Sequence, residues 1–123
     1  MPTADREVVD HLGVSRLQSA YADVIDRRAW SELSELFLPE APVRVDTVSR
    51  EAFEFVGPEQ LGEFISGAIE RFSFFEFVIL NSHIVTAVDG DPDAARARLY
   101  MCELRQESAT DEKPAGQWSN AFG

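Results

Sequence analysis

The sequence predicts an α+β fold, a cone-shaped roll in which a curved, mainly antiparallel sheet wraps on three helices and encloses a pocket. Two amphipathic segments come first, a short strand pair and a third amphipathic segment follow, and long strands joined by a tight turn come last. Separate runs of helices and strands are typical of α+β domains. Because 45% of its 123 residues are hydrophobic, the chain is predicted to form a single domain over residues 1–123.

Three segments have the apolar spacing of amphipathic helices. The first covers about residues 5–26, where apolar side chains recur mostly three and four positions apart. The second starts at Ala29 and is stopped by Pro39, since proline cannot continue a helix. The third opens at Gly57-Pro58, and its apolar stripe continues to Phe72. We expect this third helix to lie across an apolar surface.

The remaining segments have the composition of strands. The predicted strands are Val43–Val48, Ala52–Val56, Phe75–Val88, Ala94–Gln106 and an opening strand at Gly116–Phe122, with a polar loop at 107–115. Residues 49–51 form a predicted hairpin turn, and residues 89–93 form another. Both faces of the Phe75–Val88 strand are apolar, whereas helices cover only one side of the sheet. We therefore expect a homodimer through the outer sheet face.

The acidic composition excludes several classes of partner. The net charge is −11, and no run of basic residues exceeds Arg27-Arg28, so we expect neither nucleic acid nor a membrane as a partner. The first residues lack the features of a signal peptide, which predicts a cytoplasmic location. Cys102 is the only cysteine, and His11 and His83 are the only histidines. No metal site and no cofactor are therefore predicted.

Three segments together resemble the SnoaL-like branch of the nuclear transport factor two-like superfamily. They read YADVIDRRAWSELSELFLPEAPV, VGPEQLGEF and NSHIVTAVDGDPDAARARLY, and the resemblance extends from about Val14 to Phe122. The resemblance implies a conical fold around an apolar pocket. Relatives of this type include ketosteroid isomerase, scytalone dehydratase, bile-acid dehydratase and a dehydrochlorinase, so the fold alone does not select a reaction.

Tyr21 aligns with the tyrosine that stabilises an enolate oxygen in the isomerase, so the resemblance implies that its phenol donates to a substrate oxygen. The alternative is an ordinary core tyrosine on the apolar stripe of the first helix. The aspartate that moves the proton in the isomerase falls at Val45, and Asp46 points to the other strand face. Steroid isomerisation by that route therefore lacks its base.

Asp26 aligns with the aspartate that dehydratase-type relatives pair with a histidine base. The position of that histidine is Phe77 in this chain. His83 is the candidate replacement, because strand alternation places it on the face of Phe77, about 20 Å further along at about 3.3 Å per residue. Each residue also has a structural alternative. Asp26 would be an N-cap of the Trp30 helix. His83 would be a hydrogen-bonded strand residue or a subunit contact.

Glu103 is the remaining candidate acid or base, because an inward carboxylate on its strand has a raised pKa. A solvated glutamate is the alternative. Arg96 and Arg98 lie on the other face of this strand, where we expect surface or interface ion pairs. The predicted catalytic residues are Asp26, Tyr21, His83 and Glu103, and the predicted ligand contacts are Trp30, Val45, Phe55, Phe64, Phe77, Asn81 and Met101.

The resemblance leaves two functions open. The first is a cofactor-free lyase, dehydratase or isomerase that acts on an apolar, oxygenated small molecule of the polyketide, steroid or terpenoid type. The second is a non-catalytic small-molecule-binding or dimerisation domain. Related proteins continue into a last hairpin beyond the position of Phe122, so we expect this domain to lack its final strands.

Overall fold

The predicted α+β fold, with helices and antiparallel sheets, is confirmed in a computed structural model that describes residues 3–110, 112 and 116–123. The elements in chain order are α1 (Thr3–Arg27), a 3-10 helix (Trp30–Glu35), β1 (Pro42–Val45), β2 (Phe53–Val56), α2 (Gly57–Ile69), β3 (Phe72–Thr86), a 3-10 turn (Val88–Gly90), β4 (Ala95–Glu107) and β5 (Trp118–Phe122). Within these residues, no helix is both long enough and apolar enough to cross a membrane.

The strands form two separate antiparallel sheets. One contains β1 and β2, and the other has the order β3-β4-β5. The strands of the described part of the chain do not close into a barrel, and the single continuous sheet predicted from the sequence is divided. One edge of β3 is taken by side chains at the end of α1, because Asp26 and Arg28 bond to its backbone. These contacts occupy backbone groups that a further strand would need.

The three-stranded sheet has two faces with different surroundings. Residues that pair across antiparallel strands point to the same side, so the register assigns each side chain to a face. The inner face, which packs on α1, carries Phe75, Phe77, Ile79, Ser82, Ala97, Leu99, Met101, Glu103, Arg105, Ser119 and Ala121. The outer face carries Phe74, Glu76, Val78, Asn81, His83, Val85, Arg96, Arg98, Tyr100, Cys102, Leu104, Gln106, Trp118, Asn120 and Phe122.

The core lies between α1, the 3-10 helix, α2 and the start of β3. Ile25 and Leu33 are almost completely buried, and Phe72 and Phe75 join them from β3. Ile25 comes from the last turns of α1, whereas Leu33 comes from the 3-10 helix that follows. Removing either side chain would leave a cavity that costs roughly 2–5 kcal/mol. This core fixes the position at which α1 ends against the sheet.

The small sheet packs on α2 through aromatic rings. Phe53 and Phe64 lie 5.1 Å apart between ring centroids, and Phe55 and Phe64 lie 5.7 Å apart. The link from β2 to α2 runs through Gly57, whose φ is +86° and whose amide donates to the Ala41 carbonyl at 2.8 Å. Glycine adopts this positive φ at low cost, and it is the residue at which the sequence predicted the third helix to open.

Several helices and strands begin or end at residues other than those predicted. The second helix is shorter and tighter than predicted, since only Trp30–Glu35 forms a 3-10 helix. The third ends at Ile69, so Phe72 is wrong as a helical residue and instead begins β3. The first strand stops at Val45, because the Asp46 carboxylate accepts the Val48 amide in a local turn. The predicted loop at 107–115 lies partly outside the described residues, and its Glu107 belongs to β4.

Candidate functional site

The charged break at the end of α1, residues Asp26-Arg27-Arg28, binds the edge of β3. Helix α1 ends at Arg27, and Arg28 has a left-handed backbone with φ of +56°. The Asp26 Oδ1 atom accepts a hydrogen bond of 2.7 Å from the backbone N–H of Phe77. The Arg28 guanidinium donates at 2.7 Å to the backbone carbonyl of Phe72. Two residues of the break therefore satisfy β3 backbone groups on the edge that faces away from β4.

Asp26 does not cap the Trp30 helix, so the N-cap alternative is wrong. That helix starts after Ala29 without a side-chain cap, whereas the Asp26 carboxylate is engaged by β3. Partial burial raises the pKa of Asp26, the Phe77 amide lowers it, and the charges of Glu76 and Asp23 raise it, with a net rise. The same hydrogen bond occupies one oxygen of the carboxylate that the predicted histidine dyad would use.

His83 lies on the outer face, and the prediction that it shares the face of Phe77 is wrong. The register shifts between Ile79 and Asn81, so that Leu80 forms a bulge. One extra residue reverses the alternation of side chains that follow it. His83 consequently pairs with Arg98 on the outer face, and it is exposed. The structure does not bring His83 to Asp26.

Asn81 also lies on the outer face, because it follows the bulge at Leu80. It pairs with Tyr100 on the outer face and is exposed, so its predicted place beside Phe77 is also wrong. Its side-chain oxygen accepts the backbone N–H of Ser82 at 2.9 Å, which is a local contact. The next side chain points inward, because Ser82 donates to the Gln18 Oε1 atom of α1 at 2.5 Å.

Tyr21 and Glu103 are both neighbours of Phe77 on the inner face. The Tyr21 ring is half-buried and makes edge contacts to Phe37 and Phe77, with centroid distances of 5.9 Å and 5.7 Å. Glu103 lies directly opposite Phe77 in the strand register, and its side chain is 23% exposed. Burial raises the pKa of Tyr21, and the nearby negative charge of Glu103 raises it further. A phenol and a carboxyl group therefore share Phe77 as a neighbour, in aromatic surroundings.

Burial raises the pKa of Glu103 above its ordinary value, and the charge of Arg105 opposes this rise. Protonated, this carboxyl would donate a hydrogen bond, and ionised it would accept a proton. Among the predicted ligand contacts, Phe77 and Met101 are half-buried on the same inner face. The structure thus groups Tyr21, Glu103, Phe77 and Met101.

Arg105 was missed by the sequence analysis. Its Nη1 atom lies 3.9 Å from the Glu103 carboxylate, and its Nε donates to the Ser119 hydroxyl at 3.2 Å. The Nη2 atom donates to the Asn120 carbonyl at 3.4 Å, and the guanidinium lies 5.1 Å from the centre of the Phe72 ring. The signal was available, because residues two apart on a strand share a face.

A separate cleft of about 700 Å³ lies between the 3-10 helix and the start of α2. It is lined by Trp30, Ser31, Ser34, Phe37, Pro39, Val56, Gly57, Pro58, Glu59, Gln60, Gly62, Glu63 and Ser66. Trp30 is the one predicted ligand contact in this lining, whereas Val45, Phe55 and Phe64 belong to the small sheet and α2. Phe37 contacts Tyr21 on one side and lines the cleft on the other. The cleft and the Tyr21–Glu103 pair are therefore neighbours.

No cluster of three or more His, Cys, Asp or Glu side chains suited to a metal ion occurs in residues 3–110, 112 and 116–123. The polar groups described near Phe77 on the inner face are the Tyr21 phenol, the Glu103 carboxyl group and the Arg105 guanidinium. These groups bind and polarise oxygen atoms, and the carboxyl group also transfers protons.

Comparisons with known proteins identify the family. Residues 6–121 match the model of the SnoaL-like domain. A SnoaL-like polyketide cyclase structure from Shewanella denitrificans OS-217 has 11% identity and a TM-score of 0.48, covering 89% of this chain and 89% of its own. A second from Shewanella putrefaciens CN-32 has 11% identity and a TM-score of 0.46, covering 88% of this chain and 78% of its own. No curated protein matches the sequence. On the family match, which spans nearly the whole chain, this protein belongs to the SnoaL-like domain family.

Proposed function

We propose that this SnoaL-like domain binds an apolar, oxygen-bearing small molecule at the inner face of the sheet, with Tyr21 and Glu103 contacting the oxygen. The observation that carries the proposal is that both side chains lie next to Phe77: the Tyr21 ring of α1 contacts it, and Glu103 of β4 pairs with it in the strand register. Their surroundings are aromatic, since Phe37 and Phe77 both contact the Tyr21 ring. Apolar walls with few polar groups are typical of small-molecule sites.

The hydrogen-bonding state of Tyr21 supports this role. No described residue accepts a hydrogen bond from its phenol, and no buried side-chain oxygen of the described residues lacks a partner, so the phenol oxygen is open to solvent. A ligand oxygen can therefore replace water as the acceptor for this hydroxyl group. Glu103 then serves as acceptor for a ligand hydroxyl when it is ionised and as donor to a carbonyl when it is protonated. A polyketide, steroid or terpenoid with one oxygen at its end fits this pair.

A second candidate is a cofactor-free isomerase or lyase, in which Glu103 transfers the proton and Tyr21 polarises a carbonyl. One observation favours it, because burial raises the pKa of Glu103 in the direction of neutral pH. Two observations favour binding alone. Asp26 is committed to the Phe77 amide, and His83 faces away, so the dehydratase dyad is not assembled. We place binding first for this reason.

The proposal is tested by calorimetric titration with 2-naphthol, a fused-ring phenol. The wild type should bind 2-naphthol, and Tyr21→Phe and Glu103→Gln should each weaken binding roughly three- to tenfold, the contribution of one hydrogen bond. Glu35→Gln, at an exposed position of the 3-10 helix, is the matched control and should leave the dissociation constant unchanged. Equal binding by all four proteins would contradict the proposal.

The neighbouring cleft provides a second control. Ser66 lies on α2 and lines the cleft, so Ser66→Leu narrows the cleft without a change on α1 or β4. We expect this variant to bind 2-naphthol within about twofold of the wild type. If Ser66→Leu abolishes binding while Tyr21→Phe does not, the ligand occupies the cleft and the proposed site is wrong.

The cellular setting also remains a proposal. The net charge of −11 supports a function without nucleic acid or an anionic membrane as partner, because an acidic surface repels phosphate groups. The cytoplasm is the proposed location. Fractionation of cells that express the tagged chain would test it.

A further inference from the structure

The cleft between the 3-10 helix and α2 takes no part in the proposed function, and it has the dimensions of a second binding site. Its volume is about 700 Å³, and small-molecule sites measure roughly 300–1,000 Å³. The exposed side of α2 faces this cleft. Glu59, Gln60 and Glu63 line it, whereas Leu61 and Ile69 of the same helix are buried in the core. A ligand in the cleft would therefore lie on the side of α2 that faces away from the core.

Close packing holds the floor of the cleft. Gly62 of α2 lies against the 3-10 helix, since a Cβ atom there would be 3.4 Å from both the Trp30 Cβ atom and the Leu33 Cδ1 atom. Leu33 is completely buried, which fixes the 3-10 helix on the core. The apolar part of the lining includes Trp30 and Phe37, which are both half-buried, and Pro39. A cleft with packed walls loses little conformational entropy when it binds a ligand.

The charged part of the lining is acidic. Glu59 and Glu63 are four residues apart, so they lie one turn apart on the same side of α2. None of the residues that line the cleft is basic, and among the residues that the structure describes no ion pair engages either carboxylate. Like charges at this spacing repel each other. A cation between them would relieve this repulsion, and the walls of a cleft focus the field of the two charges.

Two other polar side chains restrict the chemistry of the ligand. Gln60 is already engaged, because its Oε1 atom accepts the backbone N–H of Val56 at 2.8 Å. The Ser34 hydroxyl donates to the Ser31 carbonyl at 3.0 Å, so its oxygen is an acceptor toward a ligand. The lining thus offers two carboxylates and a hydroxyl oxygen to a ligand that donates hydrogen bonds.

We propose that this cleft binds a small organic amine in its protonated form, with the ammonium group at Glu59 and Glu63 and the apolar body against Trp30 and Phe37. An ammonium group donates hydrogen bonds to carboxylates, and aromatic faces attract cations, tryptophan most strongly. The carboxylates therefore select the charge of the ligand, and the aromatic wall selects its apolar body. This ligand differs in charge and in place from the oxygen-bearing molecule proposed for the inner face.

NMR of the isotope-labelled protein tests the site, because the chain has two tryptophans and each gives one indole N–H signal. Trp30 lines the cleft, whereas Trp118 lies on the outer face of the three-stranded sheet. Trp118→Phe assigns the two signals. Titration with 2-phenylethylamine at pH 7 should shift the Trp30 signal and leave the Trp118 signal in place. The alcohol 2-phenylethanol has the same shape without the charge, and it should bind at least about fivefold more weakly.

Charge removal on α2 tests the role of the two carboxylates. Glu59→Gln and Glu63→Gln should each weaken binding of the amine roughly two- to fivefold, and the double variant should bind the amine and the alcohol equally. Glutamine keeps the size of the side chain and both positions are exposed, so we expect the variants to fold. Glu70→Gln, at the exposed C-cap of α2, is the matched control and should leave both dissociation constants unchanged.

Three results would overturn the proposal. An alcohol that binds as tightly as the amine would show that the cleft does not recognise charge. A Trp30 signal that stays in place up to about 10 mM amine would show that the cleft is not the site. A double variant that keeps the preference of the wild type for the amine would exclude Glu59 and Glu63. The indole signal reports on the cleft whether or not the inner face binds 2-naphthol, so the two proposals fail independently.

Discussion

The Asp26 carboxylate accepts a hydrogen bond of 2.7 Å from the backbone amide of Phe77, the position at which the resemblance implies a histidine. The two positions that would form a catalytic dyad are therefore in contact, but through the main chain. The carboxylate here satisfies an amide on the edge of β3, which would otherwise lack a partner. This relationship assigns Asp26 a structural role and leaves Tyr21 and Glu103 as the polar pair of the inner face.

If Asp26 acts as an edge acceptor, the amide oxygen of asparagine can replace it. Asp26→Asn should keep the free energy of unfolding within about 0.5 kcal/mol of the wild type, because it preserves an acceptor for the Phe77 amide. Asp26→Ala should lower that free energy by about 0.5–1.5 kcal/mol, because it removes the hydrogen bond to the Phe77 amide. Urea denaturation at pH 7 measures both. Equal losses in the two variants would show that the negative charge matters rather than the acceptor.

Gly57 should not tolerate a side chain. A Cβ atom there would lie 2.6 Å from the Pro39 carbonyl oxygen, and the φ of +86° is strained for other residues. Gly57→Ala should therefore lower the free energy of unfolding by about 2 kcal/mol or more. Gly67→Ala is the control on the same helix, where nothing lies within 4 Å, and it should raise stability by up to about 1 kcal/mol. Thermal unfolding measures the stability of both variants. A Gly57→Ala variant that is more stable than Gly67→Ala would contradict this explanation.

The raised pKa of Glu103 predicts how stability depends on pH. The folded state binds this proton more tightly than the unfolded state, so the contribution of Glu103 is fully present below its ordinary pKa of 4.5. The contribution is lost as the pH rises through the higher pKa of the folded state. Glu103→Gln removes this dependence, so the variant should gain stability relative to the wild type between pH 4 and pH 8. A constant difference between the two proteins over this range would show that the carboxyl group is not perturbed.

Arg105 should hold the Glu103 pKa down, since its positive charge favours the ionised carboxylate. Arg105→Met should consequently raise the pKa of Glu103, as followed by carbon NMR of the labelled carboxyl group. Arg71→Met is a matched control, because Arg71 also lies over the Phe72 ring, at 4.5 Å, but pairs with Glu107. An equal change in both variants would attribute the effect to packing on Phe72.

The helices and strands follow largely from local patterns. The three- and four-residue spacing of α1 and α2 and the composition of β3 and β4 are properties of neighbouring residues, and the structure confirms them as elements. The 3-10 helix was predicted as a longer helix. Only six residues lie between Ala29 and Leu36, and such a short segment is decided by packing, here the complete burial of Leu33.

The positions of the candidate site residues depend on features that the periodicity of the sequence does not reveal. One extra residue at Leu80 reverses the faces of Asn81 and His83, and nothing in the alternation of the strand marks the bulge. The bond from Phe77 to Asp26 joins residues 51 positions apart, so it arises only from the docking of α1 on β3. For Glu103 the sequence left an inward carboxylate and a solvated glutamate open, and the regular pairing of β4 through that region places it on the inner face.

The most direct test of the central claim is the affinity of 2-naphthol for Asp26→Asn compared with Tyr21→Phe. If Asp26 supports the edge of β3 and Tyr21 contacts the ligand, Asp26→Asn should bind within about twofold of the wild type, whereas Tyr21→Phe should lose roughly three- to tenfold. Calorimetry at pH 7 on folded variants gives both constants. A loss of binding in Asp26→Asn with unchanged binding in Tyr21→Phe would contradict the account.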